Sequence, residues 1–559
     1  MPRTSPAPAP TLTPAPADLV LRGARIHTVD PELPEAEALA VRDGRLVWLG
    51  PDAEAAAWTG PRTEVIEAGG RLVLPGFIDA HNHVRLGSDA ACAQLAGVGT
   101  LDGIRERIRA WHSAHPDAEW IEAEAFDYSA IPGGRMPCAA DLDPATGDTP
   151  AIVLSYDVHT AWLNTAALRR LGVTRDRTDL PFGRAATDPA TGEPTGFVTD
   201  FAVRGLSRDG HRALRELGVP WASPERQYQR LARSLDDAIR YGLTTVVEPQ
   251  NSLDDLELFE RARAEGRLRS RIVAALFHPR GTTDAELDEF EAAAERLSGD
   301  RLRVGPLKLY IDDVVEPRTA ALLQPYTGCG HHRGETFYPP EEFAELLAKL
   351  DARGFQCFVH ATGDRGIRTV LDAAAHARAL NGPRDSRHQV VHVECLDPAD
   401  VPRFAELGVV ACMQPRHCAP EIAGPGRDWA ENVGPERWHK AWPMRSLHRA
   451  GAVLAFSSDW NVAEMDPMVG IYTAVTRRPL GGGDPWGPAE TVDVETAVHG
   501  YTMGSAYANF LEHERGSLTV GKAADFTVLS RDILRCAPED IPGTVAEIVV
   551  VAGEVAHTA

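Results

Sequence analysis

The feature that most constrains the fold of this chain is the alternation of short apolar segments with helical ones. From residue 71 onward, eight runs rich in apolar and β-branched residues predict buried strands: 71–80, 243–249, 271–277, 306–312, 356–361, 388–394, 409–415 and 452–459. Segments of helical character lie between several of them: 224–240, 284–299 and 339–354. Buried strands that alternate with helices form parallel sheets covered on both faces. Eight such units predict an α/β fold, a (β/α)8 barrel of the TIM type.

Two regions do not follow the alternation of strands and helices that predicts the barrel. A long insertion follows the first strand and contains its own candidate strands at 120–126 and 151–156. Both chain ends also contain strand-like runs, which we expect to pair into one small β-domain. The predicted divisions are a disordered leader (1–17), a β-sandwich domain (18–70 plus 515–559) and a barrel (71–514) with an insertion at 85–240.

Composition excludes several classes of partner. The 559 residues include 80 acidic and 57 basic side chains, a formal charge of −23 that repels phosphate backbones, so we expect no nucleic-acid binding. No run of eighteen apolar residues occurs, so no membrane span is expected. The eight cysteines form no CxxC pair and are interpreted as reduced thiols, which fits a cytoplasmic location. We expect a homodimer that acts on a small molecule.

Five potential metal ligands follow or end the predicted strands. The run Leu72–Val84 leads directly into His81 and His83, with Leu72–Ile78 expected to pack the barrel interior and to bend at Pro75-Gly76. Because residues i and i+2 of a strand point to one face, about 6.6 Å apart, His81 and His83 should converge. His360, His392 and Asp459 end three later strands. Each alone fits a buried, hydrogen-bonded histidine or a helix cap, but together at the catalytic face of a barrel they predict a metal centre.

Lys308 lies in the middle of the otherwise apolar run 306–312. One interpretation is a lysine whose ammonium reaches the solvent at the rim. The other is an amine whose pKa is lowered by an apolar, cation-rich site. Such an amine can take up carbon dioxide to form a carbamate, an anionic oxygen ligand able to bridge two metals.

The order of these residues resembles the amidohydrolase superfamily. The segments LVLPGFIDAHNHV, GPLKLYIDDVVEPRTAALLQPY, DVHTAWLNTAAL, VHATGDRG, MQPRH, FSSDWN and GSLTVGKAADFTVL are similar to its family 3 branch, which includes N-substituted formamide deformylase. The similarity spans nearly all of the chain after residue 18. The chain departs from the branch pattern in two places: Asp313 stands where glycine is usual, and Trp460-Asn461 stands where a small residue and proline are usual.

The resemblance implies a specific ligand set. It places His81, His83 and Asp459 on one metal and His360 and His392 on a second, with carboxylated Lys308 as a bridge. The metal is expected to be zinc or another divalent ion, and one or two ions remain open. Asp459 would take a proton from the attacking, metal-activated water and deliver it to the leaving nitrogen.

Further residues are candidates for substrate contact or support. His159, in the insertion, is a candidate to stabilise the oxyanion, or else a packing histidine. Asp364 is expected either to orient a ligand histidine or to cap the next helix. His417, Asp312 and Trp460 are candidates to line or support the pocket near the departures from the branch pattern.

The leading functional hypothesis is a metal-dependent hydrolase that cleaves a C–N bond in an amide, N-formamide or carbamate. Hydrolysis of an ester or a cyclic amide by the same site is an alternative. A non-catalytic regulator on a degenerate barrel is another, although all the unmodified ligand types are present. A carbohydrate hydrolase would need two opposed carboxylates, for which Asp312, Asp313, Glu248 and Glu394 are available.

Overall fold

The central element is a parallel barrel. The computed structural model describes residues 15–87 and 89–559. Eight strands pair side by side in chain order, and we number them β1 to β8: Phe77–Asp79, Leu243–Asn251, Arg271–Phe277, Leu302–Tyr310, Cys357–Ala361, Gln389–His392, Val410–Met413 and Leu454–Phe456. A backbone hydrogen bond of 3.2 Å from Ala80 N to Phe456 O links β8 to β1. The predicted (β/α)8 barrel is confirmed.

Helices cover the outside of this barrel. The longer ones are Pro224–Arg240, Leu256–Ala264, Asp284–Arg296, Pro340–Ala352, Asp364–Asn381 and Pro467–Thr476, and shorter ones are Val401–Leu407, Asp428–Val433, Met444–Arg449 and Val494–His499. Asp284–Arg296 begins at a capping box in which Thr283 and Glu286 satisfy each other's backbone N–H groups. Its Leu287 and Phe290 belong to the same apolar cluster as Leu307 of β4. None of the described helices combines the length and apolar character that a bilayer crossing requires.

The two chain ends build a pair of sheets beside the barrel. A four-stranded sheet contains Leu19–Arg22, Ala38–Arg42, Arg45–Gly50 and Glu64–Glu67. A six-stranded sheet contains Arg25–His27, Glu35–Ala36, Leu72–Pro75, Phe526–Leu529, Ala546–Val551 and Glu554–Thr558. Leu21 and Val41 of the first sheet share one buried cluster with Val73 and Phe526 of the second. The sheets therefore pack face to face, as in a sandwich.

The predicted strand 71–80 is wrong as a single barrel strand. Its first half, Leu72–Pro75, pairs with Arg25–His27 and Phe526–Leu529 in the six-stranded sheet, and only Phe77–Asp79 forms β1. The change of sheet occurs at Gly76, where a Cβ atom would lie 2.2 Å from the Thr244 side chain. One continuous apolar run thus serves two sheets, and apolar composition does not reveal the break.

The insertion forms a separate seven-stranded sheet. Its strands are Ala93–Gln94, Ile121–Phe126, Ala151–Ser155, Ala161–Leu163, Asp179–Leu180, Gly183–Thr187 and Pro194–Thr199. The strands predicted at 120–126 and 151–156 are confirmed and pair in parallel. The predicted leader 1–17 falls mostly outside the described residues, and of its last three residues Ala17 is buried and donates its backbone N–H to Trp58 O.

Candidate metal centre

The candidate ligands meet at the carboxyl end of the barrel. His360 lies in β5, and His392 is the last residue of β6. His81, His83 and Asp459 lie beyond the ends of β1 and β8. The expectation that the strand pleat brings His81 and His83 together is therefore wrong, because β1 ends at Asp79. Instead a bend brings them together, and it is held by Asp459 N bonded to His81 O at 2.8 Å.

Three of the ligand candidates form a compact trio. His81 Nε2 lies 3.3 Å from His83 Nε2. Asp459 Oδ1 lies 3.1 Å from His81 Nε2 and 3.4 Å from His83 Nε2. All three residues are buried. We refer to His81, His83 and Asp459 as the trio.

The spacing of the trio fits a cation. Ligand atoms bound tetrahedrally to zinc at about 2.0–2.1 Å lie about 3.3 Å from one another, which matches the three distances. Two imidazoles and a carboxylate are the donor types that zinc and its neighbours take. His392 offers a further donor atom within 4.8 Å of those of His81 and Asp459. The residues present therefore fit a divalent metal.

The electrostatics of the site favour the forms that bind metal. Burial, followed by the charge of Lys308, lowers the pKa of His81 to about 3. Burial also lowers the pKa of His360 and of His392 well below the ordinary value. Burial alone would raise the pKa of Asp459, but its contacts with histidines hold it well below the ordinary value. Neutral imidazoles and an ionised carboxylate are the protonation states of metal ligands.

His360 and His392 adjoin the trio but have other polar partners. Their ring centroids lie 4.4 Å apart, and the His392 ring lies 5.3 Å from that of His81. His360 Nε2 lies 3.2 Å from the backbone oxygen of Asp313. His392 Nδ1 lies 2.9 Å from Gln414 Oε1. The structure therefore gathers all four histidines, and the atoms of the trio lie closest together, while His392 also offers an atom near those of His81 and Asp459.

Lys308 is buried among aromatic rings. Its Nζ lies 4.7 Å from the ring centre of Tyr310 and 5.5 Å from that of Phe358. Burial lowers its pKa to about 8. The lysine thus does not reach the rim, and about a tenth of it is the free amine at pH 7, which is the form that can accept carbon dioxide.

His159 enters the site from the insertion and is held by an acidic residue. Its Nδ1 makes a short contact with Asp313 Oδ1, and its ring lies 5.2 Å from that of His360. Burial opposes the charged form, but the carboxylate of Asp313 raises the pKa of His159 overall. Because Nδ1 faces Asp313, Nε2 is the nitrogen left for other partners. The acidic residue at 313, a departure from the branch pattern, has a direct structural partner.

The remaining candidates take different positions. His417 lies with Nε2 3.8 Å from Asp459 Oδ2. Asp312 accepts hydrogen bonds from the backbone N–H groups of Ala321, Thr362 and Gly363, so it supports loops. Trp460 accepts a hydrogen bond from His83 N through its backbone oxygen at 2.5 Å.

Asp364 contacts no ligand histidine and does not provide a side-chain cap. It accepts a hydrogen bond from Leu323 N at 2.7 Å and pairs with Lys440 at 2.8 Å. The helix Asp364–Asn381 instead begins after Gly363. Asp364 thus ties the loop after β4 to Lys440 and acts on the site only through the loop.

Asp79 was not among the predicted site residues, although it contacts both loops that carry the trio. Its carboxylate accepts hydrogen bonds from Ser458 Oγ at 2.6 Å, Asn82 Nδ2 at 2.9 Å and His81 N at 3.2 Å. An aspartate two residues before the HxH motif was the available signal. Gln414, the partner of His392, follows β7 in the MQPRH segment and gave no comparable signal.

Three residues at the mouth adopt left-handed backbone conformations that side chains rarely take. These are His392 with φ of 80°, Val393 with φ of 51° and Asp459 with φ of 58°. A β-branched residue such as Val393 is especially unfavourable there. Such outliers persist only where the surroundings fix them, and they concentrate at functional sites.

A cleft opens beside the trio. Its space between atoms, including the part open to solvent, amounts to about 490 Å³, and its walls include His159, His392, His417 and Asp459. A second, smaller space of about 320 Å³ reaches His81, His83 and Lys308 from the other side of Asp459. A small molecule in the cleft would thus contact Asp459 of the trio and His159.

Comparison with known families places the chain in a class. A model described as the amidohydrolase family matches residues 64–557. The chain therefore belongs to the amidohydrolase family and is a hydrolase of that family, which confirms the resemblance seen in its sequence.

Individual proteins agree with this assignment. The chain is 30% identical over 531 residues to Protein LONG AFTER FAR-RED 3 of Arabidopsis thaliana, covering 92% of this chain and 87% of that protein. It is 27% identical over 536 residues to N-substituted formamide deformylase of Arthrobacter pascens, covering 94% and 95%. An uncharacterized metal-dependent hydrolase from Pyrococcus horikoshii has a similar structure, with a TM-score of 0.71, 22% identity, and coverage of 93% of this chain and 99% of that one.

Proposed function

We propose that the protein is a metal-dependent amidohydrolase that cleaves the C–N bond of an amide, N-formamide or carbamate in a small molecule. The observation that carries the proposal is the spacing of the trio, 3.1 to 3.4 Å between His81, His83 and Asp459, at the catalytic face of the barrel. Similarity to a formamide deformylase over most of both chains supports the bond type.

The trio would hold the metal, which we propose to be zinc. His360 and His392 would complete the site or hold a second ion, and a carbamate on Lys308 would join them. When bound, such a cation supplies Lewis acidity, which lowers the pKa of a water molecule and polarises a substrate carbonyl.

Asp459 is suited to move the proton. Its contacts keep it ionised, and it borders the cleft. In the proposed reaction, the oxygen of water bonds to the carbonyl carbon while Asp459 takes a proton. The C–N bond then breaks as that proton passes to the nitrogen, because an amide anion is a very poor leaving group.

His159 is suited to stabilise the carbonyl oxygen as it becomes negative. Asp313 holds Nδ1 of His159, which leaves Nε2 for the cleft. The raised pKa of His159 favours the imidazolium, in which Nε2 carries a proton to donate. Asp313 acts through His159 and is therefore a positioning residue.

The test is hydrolysis by the zinc-loaded protein of a panel of N-formyl amines, N-acyl amines and esters with matched acyl groups. Release of amine from at least one amide, abolished in Asp459→Asn, is expected. Hydrolysis of esters only would favour the alternative activity, and no hydrolysis together with purification free of stoichiometric zinc would favour a regulator.

The partner and location expectations remain predictions. We keep the homodimer as a proposal, which light scattering of the purified protein tests, and a monomeric mass would contradict it. The cytoplasmic location is likewise a proposal, and fractionation of cells that express the protein tests it.

A further inference from the structure

The cleft beside the trio has an acidic wall. Glu316 and Glu394 both border the cleft, and no lysine or arginine is among its described lining residues. Burial raises the pKa of Glu316 well above the ordinary value. The negative charges of Glu394, Asp157 and Asp428 raise it as well, each by less than burial does. Among described residues, Glu316 forms no ion pair. Two carboxyl groups therefore share this part of the cleft with no lysine or arginine among its described lining residues.

Glu394 is held in place by an indole N–H group. Its Oε2 accepts a hydrogen bond of 2.9 Å from Trp429 Nε1. Its Oε1 lies 3.9 Å from His417 Nδ1. A fixed indole N–H orients the carboxylate without neutralising it, so one oxygen stays available toward the cleft.

Aromatic side chains complete this end of the cleft. Trp442 and Tyr156 are lining residues, and the Trp442 ring packs on that of Trp429 with centroids 4.8 Å apart. Aromatic faces attract cations, and aromatic walls combined with carboxylates are suited to alkylammonium groups.

His417 connects this end of the cleft with the catalytic carboxylate. It is 8% exposed, and its Nε2 is a buried atom without a hydrogen-bond partner among the described residues. That nitrogen lies 3.8 Å from Asp459 Oδ2, while Nδ1 lies 3.9 Å from Glu394 Oε1. A single imidazole therefore separates Glu394 from Asp459, and the nitrogen on its Asp459 side has no hydrogen-bond partner among the described residues.

We propose that Glu316, Glu394, Trp442 and Tyr156 form a subsite for an ammonium group, so that the substrates are amides with a cationic amine a few bonds from the scissile C–N bond. The inference rests on the proposed amidohydrolase function and names its substrate class.

A second metal ion is the competing occupant. His392, Glu394 and His417 offer donor atoms within 4.8 Å of one another. That group does not include Glu316 or the aromatic walls, and Glu394 Oε2 already accepts a hydrogen bond from Trp429. The ammonium uses all of these features, and the metal uses only some of them.

The test compares two molecules that differ only in charge. N-formylputrescine carries a terminal ammonium, and N-formylpentylamine replaces it with a methyl group; their N-acetyl counterparts form a second pair. With zinc-loaded protein, we expect kcat/KM to be about tenfold or more higher for the cationic member. Glu316→Gln should reduce that preference about tenfold, with a smaller effect on the neutral substrate than on the cationic one. The matched control is Glu295→Gln, an exposed residue of the helix Asp284–Arg296 that does not line the cleft.

Each outcome decides the inference. Equal rates for the two members, or an equal loss for both in Glu316→Gln, would overturn it. Loss of a stoichiometric metal ion in Glu394→Gln, with the charge preference absent, would assign the wall to a metal instead. Equilibrium binding of the same molecules by calorimetry separates this inference from the proposed function. Tighter binding of the cationic member supports the subsite even when no amide is hydrolysed, and equal binding overturns it.

Discussion

The candidate metal centre has two halves, the trio and the pair His360 and His392. The two halves differ in what their nitrogen atoms contact. In the trio, the Nε2 atoms of His81 and His83 face each other and Asp459 Oδ1 at 3.1 to 3.4 Å. In the other half, His360 Nε2 contacts the Asp313 backbone oxygen and His392 Nδ1 contacts Gln414. Burial keeps His81, His360 and His392 neutral, so the difference lies in orientation.

This difference indicates unequal affinities for metal. The trio already has the separation of ligand atoms around one cation, so binding there requires little rearrangement. His360 would have to exchange a contact with a backbone oxygen for a metal bond at the same nitrogen. We therefore expect one tightly held ion at the trio and, where a second binds, a weaker one at His360 and His392.

The largest expected effect is that of Asp459→Asn. The amide cannot accept the proton from water, and it is a weaker metal ligand, so kcat/KM should fall by about 10³-fold or more. Zinc content, measured by atomic emission, should fall as well, while circular dichroism stays unchanged. Asp484→Asn, an exposed change of the same type, is the control. Retained activity in Asp459→Asn would remove the role assigned to that carboxylate.

A comparison of His81→Asn with His360→Asn tests whether the trio and the pair His360 and His392 bind zinc with different affinities. His81→Asn should lose the tightly held zinc. His360→Asn should keep it and lose about 10- to 100-fold in kcat/KM, the range for groups that support a metal site. Zinc titration with a competing chelator measures both. Equal loss of the first zinc in the two variants would show that the halves form one cooperative unit.

The barrel and the ligand types were predictable because both depend on local patterns. Strands β2 and β3 begin where the apolar runs do, and histidines or aspartate end or follow β5, β6 and β8. The path of residues 71–80 was not predictable, because Leu72–Pro75 and Phe77–Asp79 are equally apolar and the sheet change depends on contact between Gly76 and Thr244.

The geometry within the site was also not predictable from the sequence. The bend that joins His81 to His83 depends on hydrogen bonds to the loop after β8, which is more than 370 residues away in the chain. The pairing of Asp313 with His159 joins the barrel to the insertion across 154 residues. Such contacts follow from packing of distant segments, so a motif shows which residues are present and not which atoms meet.

Asp313→Gly tests whether the protonation of His159, which the insertion contributes to the site, depends on Asp313, a residue that departs from the branch pattern. Burial lowers the pKa of His159 and Asp313 raises it, so removal of the carboxylate should lower that pKa. The imidazolium exists below its pKa and would be lost at a lower pH. The alkaline limb of the kcat/KM profile should therefore move to lower pH, with about a tenfold loss at neutral pH.

The control for Asp313→Gly is Asp313→Asn, which keeps a polar group of similar shape beside His159. It should shift the profile in the same direction while retaining more of the local packing. An unchanged pH profile in both variants, with activity reduced equally at every pH, would indicate that Asp313 serves only to pack the loop.

The smallest expected effect on catalysis is that of Asp364→Asn. Asp364 contacts Leu323 N and Lys440, and neither belongs to the metal centre. Lys440 keeps Asp397 as a second partner at 2.9 Å. We expect kcat/KM to change by less than about twofold, and stability to fall by about 1–2 kcal/mol because a buried charged hydrogen bond is lost. Asp397→Asn, on the more exposed side of Lys440, should cost less in thermal unfolding. A large loss of activity in Asp364→Asn at unchanged stability would show that the loop after β4 transmits strain to the ligands, and the trio could not then be treated as independent of it.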